Sequence, residues 1–128
     1  MKLLLDTHAL IWWLAGDKSL TAEVREILSD ETNEIYVSAA SAMEISTKHR
    51  LGKLPEASLL ATNLGEYVAE QGFCELPLSI AHAAMAGNLQ IAHRDPFDRF
   101  LIAQSLVESI PLASNEAIFD GFGVNRVW

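Results

Sequence analysis

The stretch that most constrains this chain is Lys2-Leu3-Leu4-Leu5-Asp6-Thr7. Three consecutive leucines with no polar alternation suit a short strand covered on both faces, as in the middle of a parallel sheet. The run ends abruptly in a carboxylate. In open α/β sheets, ligands bind just beyond the carboxyl ends of the strands, so Asp6 is either the cap of the next helix or part of a site. The question for the rest of the chain is whether other acids reach the same edge.

The remaining pattern supports such a sheet. Helices are expected over Thr7–Leu14, Thr21–Leu28, Ser38 or Ser41 to Leu51, Ser58–Gln71, Ser79–Ala86 and Pro96–Glu108. They alternate with strands at Glu34–Ser38, Phe73–Leu78, Pro111–Ala113 and a possible fifth at Val124–Trp128. Gly16, Gly52 and Gly72 punctuate helix ends, where glycine is the usual stop. Strands alternating with helices predict an α/β sandwich around a mostly parallel sheet of four to five strands. With 128 residues, half of them apolar, a single domain spanning 1–128 can bury its own core.

Several classes are excluded. No apolar run approaches the roughly 20 residues of a membrane span, and the N-terminus lacks the long apolar core of a signal peptide. One cysteine, Cys74, allows neither an internal disulfide nor a thiolate zinc cluster. A cytoplasmic location is the expectation. The net charge of −8 argues against nucleic acid, whose binding rests on phosphate neutralisation. That argument weakens if several acids serve a divalent cation, which would invert the local field. Without Asp6, Glu44, Asp95, Asp98 and Glu116, 12 acids face 9 basic groups.

Those five acids fall at the expected C-terminal edge of the sheet or in the first turns of the following helices. Each has a local explanation. Asp6 can cap a helix, Ser41-Ala42-Met43-Glu44 matches a capping box, and Asp95-Pro96 is an N-cap followed by proline. Asp98 and Glu116 can complement helix dipoles. Capping does not require acids from four segments to share one edge, nor a glutamate bracketed by Met43 and Ile45. Clustered carboxylates repel unless a hard cation lies between them, and Mg²⁺ or Mn²⁺ prefers oxygen ligands. Such an ion can activate water against a phosphodiester. Carboxylates that share such an ion are expected to converge at that edge.

Four segments carry a resemblance that covers essentially the whole chain. They are Leu3-Leu4-Leu5-Asp6-Thr7-His8, Ser38-Ala-Ala-Ser-Ala-Met-Glu44-Ile45, His93-Arg94-Asp95-Pro96-Phe97-Asp98-Arg99 with Leu101-Ile102-Ala103-Gln104, and Leu112-Ala113-Ser114-Asn115-Glu116. In this order they resemble PIN-domain ribonucleases, specifically the VapC-type toxins of bacterial toxin–antitoxin pairs. The resemblance implies a three-layer α/β/α fold and a Mg²⁺- or Mn²⁺-dependent endoribonuclease. It places the acidic set on Asp6, Glu44 and Asp98, whose carboxylates are then expected within one ion's coordination shell, with Glu116 where the family usually has Asp. Thr7, Asp95 and Ser114 would support the site, Asp95 as a cap and Ser114 through its hydroxyl. It also implies a homodimer and a VapB-type antitoxin whose segment lies over the site.

Other residues point less sharply. Lys48, Arg50 and Lys53 could grip RNA phosphates or simply solvate a helix end. Arg94 and Arg99 flank the acids and suit phosphate contact or carboxylate pairing. His8, His49, His82 and His93 show no mutual ligand spacing and read as packed or solvated. Adjacent Trp12 and Trp13 cannot both be buried on one helix side. One is expected in the core, and the other as an antitoxin anchor. Two rival readings are a PIN fold that binds without catalysis, and an acid-lined phospho-acceptor domain. The second would need paired acids after strand one and a lysine after the last strand, where this chain has Asp6-Thr7 and Ser114-Asn115.

Overall fold

The leucine run forms β1 (Lys2–Leu5) at the centre of a five-stranded sheet. The other strands are β2 (Glu34–Ser38), β3 (Cys74–Leu76), β4 (Leu112–Ala113) and β5 (Arg126–Val127). Their order is β3-β2-β1-β4-β5, and every pairing is parallel. The helices are α1 (Thr7–Ala15), α2 (Ala22–Ser29), α3 (Ala39–Arg50), α4 (Ser58–Glu70), α5 (Ile80–Asn88) and α6 (Pro96–Glu108), with 3₁₀ turns at Pro55–Ala57 and Ala117–Phe122. This computed structural model describes residues 1–128, apart from the side chain of Glu56.

Alternation along β1 splits the core in two. Leu3 and Leu5 pack with Leu10, Val24, Val37, Ile45 and Val68, side chains of α1 to α4 and β2. Leu4 faces the opposite side, with Leu101, Ile102, Leu112 and Phe119. All three leucines are essentially inaccessible, as the continuous apolar run predicts for a strand covered on both faces. Each such side chain contributes about 1.5–3 kcal/mol of burial. The three-layer α/β/α arrangement follows.

Local chemistry sets the helix starts. Thr21, Ser38, Ser79 and Asp95 all take up free N–H groups of the first turn. The suggested capping box at Ser41–Glu44 is not formed: α3 begins at Ala39 behind Ser38, so Ser41 and Glu44 lie inside the helix. Met43, beside Glu44, is 61% exposed, so only Ile45 brackets that glutamate with apolar burial. The expected helix over Ser58–Gln71 contains a kink at Asn63. There Thr62 and Asn63 side chains bond carbonyls of Ser58 and Leu59, competing with the helical ladder. Among the described residues no helix is long and apolar enough to cross a membrane.

Candidate active site

The polypeptide leaves β1 at Asp6, leaves β2 at Ser38 and leaves β4 at Ser114, all at the same end of the parallel sheet. β1 connects to β2 on one side while β4 lies on the other, so this end is the topological switch point where α/β sheets hold ligands. Glu44 is carried there by the second turn of α3, and Asp98 by the first turn of α6. Asp6, Thr7, His8, Glu44, Lys48, Asp95, Asp98 and Glu116 line one cleft of about 60 Å³. A larger groove of about 230 Å³ between α3, α4 and β3 is mainly apolar, and Glu75 is its one acid.

Asp6 serves two purposes. Its Oδ1 accepts the Ala9 N–H at 2.7 Å and so caps α1, yet the side chain also lines the cleft. Burial raises its carboxyl from 3.8 to about 6, against hydrogen bonds from Ser114 and Ala9 and the charge of His8; Glu116 pushes it further up. Ser114 is fully buried, and its Oγ also accepts the Glu116 N–H at 3.0 Å, tying β4 to the turn that bears Glu116.

Glu44 is 5% exposed and fully engaged. The Thr7 hydroxyl donates to its Oε1 at 2.6 Å and lies 3.0 Å from Ser41 Oγ. The Lys48 ammonium bonds its Oε2 from one helical turn further along α3. Burial would lower the Lys48 pKa, but the Glu44 bond and the charges of Glu44, Asp95 and Asp98 outweigh it and raise it. Asp98 is also raised, by burial first and by Asp95 and Glu116, against the His93 hydrogen bond. His93 Nε2 stands 2.7 Å from Asp98 Oδ2, and the ring packs 5.9 Å from Phe122. Asp95 Oδ1 accepts the Phe97 and Asp98 N–H groups, as a cap does.

The acids expected together are thus brought to one cleft, but not into one coordination shell. Among the described residues no three of His, Cys, Asp and Glu stand close enough to hold an ion as they are. Each carboxylate is instead satisfied by a protein partner of its own: Thr7 and Lys48 bond the two oxygens of Glu44, and His93 bonds one of Asp98.

Several expectations about the surrounding residues need correction. Arg99 is not free for phosphate. Its guanidinium donates to the carbonyls of Ala86, Gly87, Leu89, Ile91 and His93, closing the C-terminal end of α5 and the following loop. Lys48 belongs to the cleft rather than to a solvated basic patch, whereas Arg94, Arg50 and Lys53 are exposed. Trp12 and Trp13 are both half-buried, so neither is the core residue and neither is fully exposed. Trp13 Nε1 donates to Gln71 at 2.9 Å and its ring meets Phe73. Trp12 lies between His8 and Trp128. His82 is a buried cap, its Nδ1 accepting the Ser79 N–H while Nε2 meets Glu108. His8 and His93, read as packed or solvated, border the acids. The spacing Glu44-x-x-x-Lys48 alone could have signalled that pair.

A model of the PIN domain matches residues 3–124. The chain belongs to the PIN domain family. Ribonuclease VapC16 of Mycobacterium tuberculosis is 42% identical over 64 residues, which is 50% of this chain and 44% of that protein, so the match spans less than half of the relative. The PIN domain here also superposes on solved structures. These include VapBC2 from Rickettsia felis bound to a promoter DNA fragment (TM-score 0.72, 13% identity, covering 99% of this chain and 98% of that one). DNA-bound VapBC from Salmonella typhimurium gives 0.69 at 14% identity, with 99% and 97% covered. FitAcB from Neisseria gonorrhoeae gives 0.54 at 19%, with 98% and 96% covered. At these identities the likeness is one of fold.

Proposed function

We propose that this PIN domain is a Mg²⁺- or Mn²⁺-dependent endoribonuclease, the toxin of a type II toxin–antitoxin pair. The observation that carries the reading is the convergence of acids from four segments on one cleft at the switch point of the sheet. The residues suit a hard divalent cation. All the candidate donors are carboxylate oxygens, a cationic ammonium already sits among them, and burial disfavours the charge of Asp6, which a cation would relieve. Asp6, Glu44 and Asp98 would hold the ion. When bound, it supplies charge neutralisation at the phosphate and acidifies a water.

The protein's own groups do the rest. Thr7 and Ser41 fix the rotamer of Glu44, and His93 fixes that of Asp98. Ser114 orients Asp6 and anchors the turn of Glu116. Glu116 orients the attacking water or supports a second ion. Asp95 holds the first turn of α6 so that Asp98 faces the cleft. The exposed Arg94 and Arg50 are the remaining candidates for RNA phosphate contact.

The resemblance to VapC16 and the fold shared with VapBC complexes support a toxin with a VapB-type antitoxin; a cytoplasmic location, a homodimer and an antitoxin segment over the cleft belong to the same proposal. Trp12, next to the cleft-lining His8, is the better antitoxin anchor, because Trp13 is committed to Gln71 and Phe73. The full engagement of Glu44 favours one rival, a PIN fold that binds RNA without cutting it. Incubating the purified chain with a structured RNA separates the two. Cleavage that needs Mn²⁺ or Mg²⁺, stops with chelator and is lost in Asp98→Asn supports the nuclease. RNA retention without cleavage under any divalent ion would leave only the binding module.

A further inference from the structure

The strongest observation left over is the cation inside the acidic cleft. Lys48 follows Glu44 by one helical turn, in the favourable acid-then-base order. A pair of that spacing on a helix surface contributes little. This one is placed differently: the Glu44 side chain is 6% exposed, Lys48 is 33% exposed, and the ammonium faces Asp95 and Asp98 as well. Glu44's other oxygen already receives the Thr7 hydroxyl. Each oxygen of Glu44 thus already receives one donor, and the stronger of the two, the ammonium, holds the place of a cation beside it.

Building on the nuclease reading, we propose that Lys48 is a displaceable resident cation. Its ammonium holds Glu44 and the neighbouring carboxylates together in the ion-free protein and must release Glu44 before a divalent ion can bind. The long, flexible stem lets the charge leave without moving α3. Once released at the rim of an acid-lined cleft, the ammonium is positioned for a phosphate. Loading of the ion and capture of RNA phosphate are then linked through one side chain. Removing Lys48 should tighten the ion while loosening RNA, which a purely phosphate-binding or purely structural lysine would not do.

The test uses the full chain and Mn²⁺ alone, by titration calorimetry after chelator treatment, with the Nζ resonance of Lys48 followed by NMR. Lys48→Met keeps the stem and removes the charge; Lys48→Gln is the second variant if that one folds poorly. Mn²⁺ should bind about five-fold or more tightly in the variant, the share a partly screened ion pair can account for. The ion-free variant should melt lower, and saturating Mn²⁺ should restore its melting point. In the parent chain the Lys48 resonance should move saturably with Mg²⁺. Unchanged or weaker Mn²⁺ affinity in both variants, or a Lys48 resonance indifferent to Mg²⁺, overturns the proposal while leaving the nuclease reading intact. If the parent and Asp98→Asn bind Mn²⁺ equally, the metal site itself is wrong and this inference falls with it.

Discussion

At the scale of single residues, Asp6 carries a conflict between stability and use. Its carboxyl is raised from 3.8 to about 6, mainly by burial. Below about pH 4 it is protonated in folded and unfolded chains alike. Between about pH 4 and 6 the unfolded chain ionises first, so stability is lost as pH rises through that window, by on the order of 3 kcal/mol in total. Asparagine caps a helix as well as aspartate and carries no charge. In chelator, Asp6→Asn should therefore match the parent at pH 4 and exceed its stability at pH 7.5, while RNA cleavage is abolished. Urea denaturation at the two pH values measures the first, and a gap that does not widen with pH contradicts it. Glu116 tests the other flank. Its extra methylene still reaches the cleft from the turn held by Ser114. Glu116→Asp should keep most of the cleavage rate and Glu116→Ala should lose at least about ten-fold, the equivalent of about 1.4 kcal/mol in the transition state. Full activity in the alanine variant would show that Asp6, Glu44 and Asp98 suffice.

At the scale of elements, the loop between α5 and α6 depends on one side chain. Arg99 donates to five carbonyls of the last turn of α5 and the following loop. Lysine cannot reproduce that fork. Arg99→Lys and Arg99→Ala should each destabilise by about 2–4 kcal/mol and speed amide exchange over residues 87–95. Arg94→Ala, on an exposed neighbour, should stay within about 0.5 kcal/mol. Equal effects on the two arginines would show that the carbonyl contacts do not matter. This contrast also marks what could be read in advance. Helix starts at Thr21, Ser79 and Asp95 were legible, and Ser38 as one of two candidates beside Ser41, because capping is a local affair between a side chain and the next turn. The sheet was legible from Leu3-Leu4-Leu5, and the acids from their place after strands. Arg99, His93 and the kink at Asn63 were not, because each answers to a carbonyl, a carboxylate or a competing bond that only the folded chain supplies. The strands at the sheet margin came out shorter than expected: β3 covers Cys74–Leu76 of Phe73–Leu78, and β5 covers Arg126–Val127 of Val124–Trp128.

At the scale of the whole molecule, Trp13 is tied into the fold, and Trp12 is the residue proposed to meet a partner. Trp13→Ala breaks the Gln71 bond and the Phe73 contact and, from a half-buried position, should destabilise the chain by about 1–3 kcal/mol. Trp12→Ala should weaken antitoxin binding by about 2 kcal/mol or more and leave the ion-dependent cleavage in place. Calorimetry with purified antitoxin decides, and undiminished affinity would move the partner's groove elsewhere. The register of the sheet has a different sort of consequence. Leu4 pairs with Leu112, and the cleft draws on residues 6, 44, 98 and 116. At about 5–20 residues synthesised per second, the central strand waits on the order of 5–20 seconds for its second neighbour to be made. During that interval the carboxylates proposed to hold the ion are not yet gathered, because β4 and the turn that bears Glu116 are still to be made. A protein proposed to cut RNA thus emerges from a machine built of RNA without a working edge, and a chain ended before residue 112 should show no cooperative unfolding at all.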